Sequence, residues 1–258
     1  MSVEKLKQIG LGLLIPAVIV VLWLAATYSG SVPESILPGI PKVGKTFVNM
    51  IESGRLGSDL SVSLIRVIKG YLASVVIGVT LGTLMGMSPN IRRMFLPIIT
   101  VIRQIPIIAW IPLIILWAGI GATSKVIIIV IAAVFPILVN TLSGISATSE
   151  KYVEVAKLYK LNKWKTFVKV YLPHALPQIL VGLKLGLGVS WMAVVAAELI
   201  ASTSGIGYRM SDARSLMQSD VVIVCMIVIG VLGIIMDKGL SALFSLFTPW
   251  QKAETKTN

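Results

Sequence analysis

EKYVEVAKLYKLNKWKTFVKVYLPHALPQIL, residues 150–180, is a lysine-studded and largely polar passage lodged between two long apolar blocks. Behind Ser149, a capping-type residue, it opens as a short helix. Glu150 and Glu154 fall near the positive N-terminal end, and Lys157 and Lys160 near the negative C-terminal end. Tyr152, Val155, Ala156 and Tyr159 recur at i, i+3, i+4 and i+7, so one face is apolar and small enough to press into a groove on a partner. A break at Leu161-Asn162 precedes a second helix with Trp164, Phe167, Val168 and Tyr171 on one face and Lys165 and Lys169 on another, a pattern that suits a membrane surface. Pro173 and Pro177 then punctuate the chain before it turns apolar again. A solvated loop between membrane helices is the plainer account of the same residues.

The blocks on either side decide the class. Of 258 residues, 56% are hydrophobic and only 13% charged, and the mean hydropathy is +0.91. A soluble domain carries about twice that share of charge, so the chain is an integral membrane protein. Its 23 Lys and Arg against 11 Asp and Glu give a net charge of +12. In a soluble protein that balance would point to nucleic acid. In a membrane protein it reflects basic loops held on the cytoplasmic side, and no nucleic-acid partner is expected. The single cysteine, Cys225, forbids an intrachain disulfide.

Six spans are expected. The stretch from Ile9 to Tyr28 is uncharged for about a bilayer's width and is read as a retained first helix rather than a signal peptide. An external Pro- and Ser-rich loop, residues 29–41, leads to an amphipathic helix over about Val43 to Glu52. The second span runs from Leu60 to Met87, with Arg66 and Lys69 placed to snorkel to the outer interface. Gly70, Ser74, Gly78, Gly82 and Gly86 form a small stripe along it, fit for close helix packing within the chain. The third, from about Phe95 to Ala118, carries Pro97, Pro106 and Pro112, which must break or bend it. The fourth covers Val126 to Leu142. The fifth covers about Leu180 to Ala201, with Gly182, Gly186 and Gly188 on a second small face. The sixth runs from Val221 to about Phe247. A polar tail, QKAETKTN, follows.

Placing the N-terminus in the cytoplasm puts Lys5, Lys7, Arg92, Arg93, the lysines of residues 151–169, Lys252 and Lys256 inside. Lys42, Lys45, Arg55, Lys125, Arg209 and Arg214 remain outside. Both termini and the 150–180 passage then face the cytoplasm, where ATP is. Residues 39–46, GIPKVGKT, satisfy the phosphate-loop pattern G-x4-G-K-[ST] letter for letter. The pattern works only between a buried strand and a helix, and here a membrane helix and a proline-rich external loop precede it, so no nucleotide site is expected.

Ionisable groups inside a span are costly and have a reason to be there. Arg103 and Gln104 lie beside Pro106, Glu198 lies near the outer end of the fifth span, and Trp110, Trp117 and Trp191 add aromatic surface. Either some of them line a path for a small anion, or a buried Arg-Glu pair and interfacial anchors hold the bundle together. The residues alone leave both open. His174 is the only histidine and no Cys/His cluster accompanies it, so no metal site is expected. No Ser/His/Asp set supports catalysis.

Glu154-Val155-Ala156, then Lys160, then Val170-Tyr171-Leu172-Pro173 resembles the E-A-A-x3-G-x9-I-x-L-P loop of the membrane subunits of ABC importers. RQIPIIAWIPLIILWAGIGATSK, residues 103–125, and VAAELIASTSGIGYRMSDAR, residues 195–214, resemble the sulfonate, nitrate and taurine branch. The likeness spans roughly residues 35 to 248. One departure is that the loop glycine of the family falls on Lys160, so the tight turn must form without the φ freedom of glycine.

The resemblance implies an all-α polytopic bundle of the type I importer permease fold, with a cytoplasmic coupling helix. It implies a single permease domain over 1–258, with a core at about 57–248 and a coupling loop at 148–173. It further implies pairing with a second copy in a homodimer, two ATP-hydrolysing subunits that hold the Mg-ATP, and an external solute-binding protein, within a bacterial cell membrane. Tyr152, Glu154, Val155, Ala156, Tyr159, Lys160 and Pro173 would then engage the ATPase. Arg103, Gln104, Trp110, Trp191 and Glu198 would be candidates for the translocation path. The chain would be a permease, not an enzyme, and bind no cofactor itself. Aliphatic sulfonate is the first expected solute, followed by nitrate and taurine. A secondary transporter or channel working without an ATPase is the alternative; it calls for an internal repeat, and no convincing one is present.

Overall fold

The computed structural model describes residues 3–30 and 32–247; the tail with Lys252 and Lys256 lies outside the described residues, as do the side chains of Lys5 and Lys7. The described residues form helices α1 (Val3–Tyr28), α2 (Ile40–Glu52), α3 (Arg55–Met87), α4 (Pro89–Ile102), α5 (Ile107–Ala118), α6 (Ala122–Ser146), α7 (Glu150–Leu158), α8 (Lys163–Thr166), α9 (Leu172–Ile200), α10 (Ile206–Ser215) and α11 (Ser219–Phe247). A π-helical turn, Phe167–Tyr171, joins α8 to α9, and no strand occurs among the described residues. Five segments are long and apolar enough to cross a membrane, and α4 with α5 makes a sixth if that bent pair is one span.

The centre of the bundle is α6, gripped between α3 and α9. Ile128, Ile129, Ala133 and Ile137 on α6 are fully enclosed. Lipid tails are as apolar as leucine, so helices there associate through close contact rather than hydrophobic drive, and small residues permit that contact. The stripe on α3 does this. A Cβ built on Gly70 would stand 2.5 Å from Ile129, one on Gly78 2.8 Å from Ile137, and one on Gly86 2.5 Å from Ile145. From the other side, a Cβ on Gly182 would stand 2.7 Å from Asn140 Cβ, and one on Gly186 2.7 Å from Ile137 Cγ1. Gly188 has nothing within 4 Å and does not share the face. By contrast α1 is almost wholly exposed along its span, and Trp23 Nε1 ties it to the loop by donating to Pro38 O at 3.0 Å.

Proline acts differently at its two main sites. Between α4 and α5 the third span is broken outright, with a bend of 97° across residues 103–106. Pro106 lacks an N–H and pushes Ile105 out of the helical region, so the helix cannot run through. Pro173 and Pro177 do not interrupt as expected. Residues 163–200 form one continuous apolar rod, with Pro173 in the first turn of α9 and Pro177 within it. The widened turn just ahead, where Leu172 N donates to Phe167 O, takes up the misfit that a proline introduces. Residues 39–46, the phosphate-loop lookalike, begin α2 with Gly39 as its cap and no preceding strand.

Packing predicts a sharp contrast between two glycines. A Cβ on Gly82 would lie 2.8 Å from the backbone oxygen of Leu138, which cannot swing aside. Gly82→Ala is expected to cost about 1–3 kcal/mol in thermal unfolding of the detergent-solubilised protein, and Gly188→Ala to cost nothing.

Candidate functional site

Three regions hold the candidate side chains: the knuckle around α7, the N-terminal end of α3 against the C-terminal end of α9, and the break between α4 and α5.

At the knuckle, Glu150 begins α7 and Lys157 lies in its last turn, matching the dipole. Ser149 occupies the cap position, yet its side chain makes no capping hydrogen bond. Tyr152, Val155, Leu158 and Tyr159 are exposed, Tyr159 at 78%, and Glu154 is exposed among them. Ala156 departs from the expected face, since it is 3% exposed and turned onto its own chain. Its small side chain therefore serves internal packing rather than approach to a partner. Lys160 takes a left-handed φ of +48°. Around it Leu161 N donates to Ala156 O at 3.0 Å and Lys160 N to Lys157 O at 2.9 Å, the paired bonds of a Schellman stop. A lysine thus does what glycine does at lower cost. Pro173 is exposed in the first turn of α9.

At the other end of the bundle, Glu198 is 1% exposed and fully engaged. It accepts from Ser63 Oγ at 2.9 and 2.8 Å, from Arg66 Nη1 at 2.7 Å and from Gly207 N at 3.0 Å. Arg66, at 9% exposure, also donates to Ser204 O at 2.8 Å and Ser204 Oγ at 2.9 Å, while Ile206 N donates to Ser63 Oγ at 3.0 Å. The S-G-I-G turn closes over the carboxylate because Gly205, at φ +108°, leaves no room for a side chain: a Cβ there would stand 2.4 Å from Glu198 Oε1. One turn outward, Arg209 Nε donates to Asp59 Oδ2 at 2.8 Å, which raises the arginine pKa above its ordinary value. Lys125 at the start of α6 is 1% exposed and lies in the field of Arg66 and Glu198. The expected snorkelling of Arg66 is therefore corrected. It points inward, and it, not Arg103, is the arginine of the buried pair. Asp59, Ser63 and Arg66 were missed as partners of Glu198 and of α10. Their only signal is an i, i+4, i+7 polar face on an otherwise apolar helix.

The remaining candidates divide. Trp191 is 5% exposed, and its Nε1 donates to Ile229 O at 3.0 Å, wedging α9 against α11. Beside it Lys184 pairs with Asp237 at 3.2 Å, a pair that the sequence reading missed. Trp110 packs against the outer core, with its Nε1 buried and without a partner among the described residues. Arg103 and Gln104 are exposed at the break and line an open concavity with Phe135, Pro136, Val139 and Asn140. No group of three His, Cys, Asp or Glu among the described residues is arranged to hold a metal ion.

Residues 74–246 match the family model of binding-protein-dependent transport system inner membrane components. The chain is 36% identical over 242 residues to an aliphatic sulfonates transport permease protein of Bacillus subtilis, covering 94% of this chain and 88% of that one. It is 37% identical over 195 residues to the taurine transport system permease protein of Escherichia coli, 76% and 71% of the two chains. It is 35% identical over 194 residues to the nitrate import permease protein of a Synechocystis strain, 75% and 70%. In fold it is similar to a chain of an amino acid ABC transporter, with a TM-score of 0.61 over 78% of this chain and 96% of that one at 21% identity.

Two stability outcomes are expected. Glu198→Gln leaves Arg66 and Lys125 enclosed without their counter-charge and is expected to cost about 3–5 kcal/mol in thermal unfolding, most of it recovered when Arg66→Gln is added. Lys160→Gly relieves the left-handed φ and is expected to gain about 1 kcal/mol, read as slower amide exchange of residues 150–160.

Proposed function

Because this chain belongs to the family of binding-protein-dependent transport system inner membrane components, we propose that α7 is the knuckle through which a separate ATPase drives it. The chain is a multi-pass ABC transporter permease and not an enzyme, and ATP hydrolysis belongs to other subunits. The observation that carries the coupling role is the outward face of α7. Tyr152, Val155, Leu158 and Tyr159 are exposed apolar groups on a short helix beyond the spans, at the end of the bundle that also holds Arg92, Arg93 and the lysines of residues 151–169. With that end in the cytoplasm, as the positive-inside rule requires, these side chains enter a groove of the ATPase and Glu154 meets a basic group there. Lys160 holds the exit turn, Pro173 starts the rod of α9, and Ala156 anchors the knuckle to its own chain.

The transporter in this reading has two permease copies, two ATPases and an external binding protein. ATP closes the ATPase pair and drives the knuckles together, and the spans rock between inward- and outward-open gaps. The solute carries a small oxyanion group: aliphatic sulfonate comes first, taurine has the same sulfonate head with an added ammonium, and nitrate has the same single negative charge. Arg103 and Gln104 face the path. Trp110, Trp191 and Glu198 support it from within the bundle, since each is engaged in packing or in the outer clamp.

Reconstitution with the ATPase and the binding protein tests this. Glu154→Ala and Tyr159→Ala are each expected to insert normally and to lower ATP-driven uptake by roughly tenfold or more, as loss of an interface anchor does. Undiminished uptake in both variants, or solute movement by the purified chain alone in vesicles, overturns the proposal.

A further inference from the structure

On the permease reading above, the concavity at the break between α4 and α5 is the part of the path whose lining says most about a solute. Helix α4 ends at Ile102 and α5 begins at Ile107, so Arg103 and Gln104 ride on the short link between them. With Phe135, Pro136, Val139 and Asn140 of α6 they line an open concavity of about 380 Å³. Asn140 is held from both sides: its Nδ2 donates to Pro136 O at 2.8 Å, and its Oδ1 accepts from Gln178 Nε2 of α9 at 2.8 Å. Gly182 lets α9 come close enough for that second bond, as a Cβ there would meet Asn140 Cβ at 2.7 Å. The α6 side of the concavity thus offers a braced amide beside the apolar Phe135, Pro136 and Val139, and the link adds Arg103 and Gln104.

A guanidinium at membrane depth calls for a counter-charge. Within the spans the carboxylates are already committed: Glu198 to Arg66, Asp59 to Arg209, and Asp237 to Lys184. Asp220, in the first turn of α11, accepts from Thr46. Among the described residues no hydrogen bond or ion pair engages the Arg103 side chain. Its charge is therefore available to an anion from outside the chain, and its planar fork suits two oxygens of one head group.

We infer that Arg103, with Gln104 and Asn140, is an oxyanion-binding station on the transport path, and that Phe135, Pro136 and Val139 beside it favour an anion with a short apolar body, such as an alkyl sulfonate, over a bare inorganic one. The head group meets the guanidinium and the amides while the alkyl part covers the proline and aromatic wall, which a nitrate ion leaves wet.

Uptake of radiolabelled ethanesulfonate and of nitrate in proteoliposomes of the complete transporter tests this, with one binding-protein preparation throughout and uptake normalised to the ATPase co-purified with each variant. Arg103→Gln is expected to lower ethanesulfonate uptake by roughly tenfold, the scale of one charge-assisted contact, while Lys69→Gln, an exposed cation on α3, stays within about twofold. Arg103→Cys should regain uptake after reaction with a cationic thiol reagent and not with a neutral one, Cys225 being buried and out of reach. Phe135→Ser should narrow the ratio of ethanesulfonate to nitrate uptake. Wild-type rates in Arg103→Gln, equal effects of the two thiol reagents, or an unchanged ratio in Phe135→Ser each overturn the inference. A wild-type transporter that hydrolyses ATP but carries neither probe overturns the inference and leaves the permease assignment standing. A chain that binds no ATPase overturns the reading beneath it.

Discussion

Backbone and side-chain groups inside lipid find no water, and this constraint orders everything else in the molecule. Three long helices meet it by pressing together until small residues of α3 and α9 touch α6, leaving Ile129, Ile137 and Ile145 seated against glycines. Close approach has a cost at the ends, where chain direction must change under cover. At the end of the bundle remote from α7 the turn after α9 is folded back onto Glu198, and the carboxylate takes hydrogen bonds from a hydroxyl, a guanidinium and a backbone N–H. The charge can be buried because three donors, one of them cationic, converge on the carboxylate. Arg66, Ser63 and Gly207 come from α3 and α10, so one carboxylate ties together three elements that are far apart in the chain.

At the opposite end the solution is different. The knuckle α7 leaves its large apolar side chains unpartnered and buries only Ala156 against its own chain. It is stopped by Lys160 in a left-handed conformation and followed by a widened helical turn. Strained backbone and π turns cluster where function requires a shape that regular helix does not provide. Among the described residues the π turn and one of the two left-handed non-glycine residues, Lys160, lie within residues 160–171, between the knuckle and α9; the other, Met217, follows α10.

How much of this was legible depended on whether the signal was local. The small stripe on α3 is a period-four pattern, and it predicted intrachain packing because, on a helix long and apolar enough to span a membrane, residues four apart line one face. A break somewhere among Pro97, Pro106 and Pro112 was legible too, but not its place: Pro97 and Pro112 lie inside α4 and α5, and only the link before Pro106 is broken. Pro173 misled, because a proline is a local signal whose outcome depends on the preceding turn. Phe167–Tyr171 widened to absorb it, and no residue type announces a π turn. The pairing of Arg66 with Glu198 spans 132 residues, and the sequence left open whether Glu198 had an arginine partner while reading Arg66 as a snorkelling side chain. Both Arg66 and Arg103 sit in apolar runs, and only the register of α3 against α9 decides between them. Asn140 and Gln178 were overlooked because amides in apolar helices carry no charge to draw attention.

The two ends together define how force can pass through such a chain. A ligand shifts a conformational equilibrium only by its differential contacts in the two states. The clamp around Glu198 is satisfied within the chain, so it ties α3, α9 and α10 together and offers a ligand nothing to trade. The knuckle and the break at Arg103 are two places where exposed groups stay unpartnered among the described residues. They stand on elements that converge on α6: α7 follows its C-terminal end, and the concavity is walled by its Phe135, Pro136 and Asn140. On the proposed reading, an ATPase acting on the first and an anion in the second both act on one rigid rod. Displacement of α6 then need not be relayed through a wire of side chains, because the glycine contacts oblige α3 and α9 to follow it.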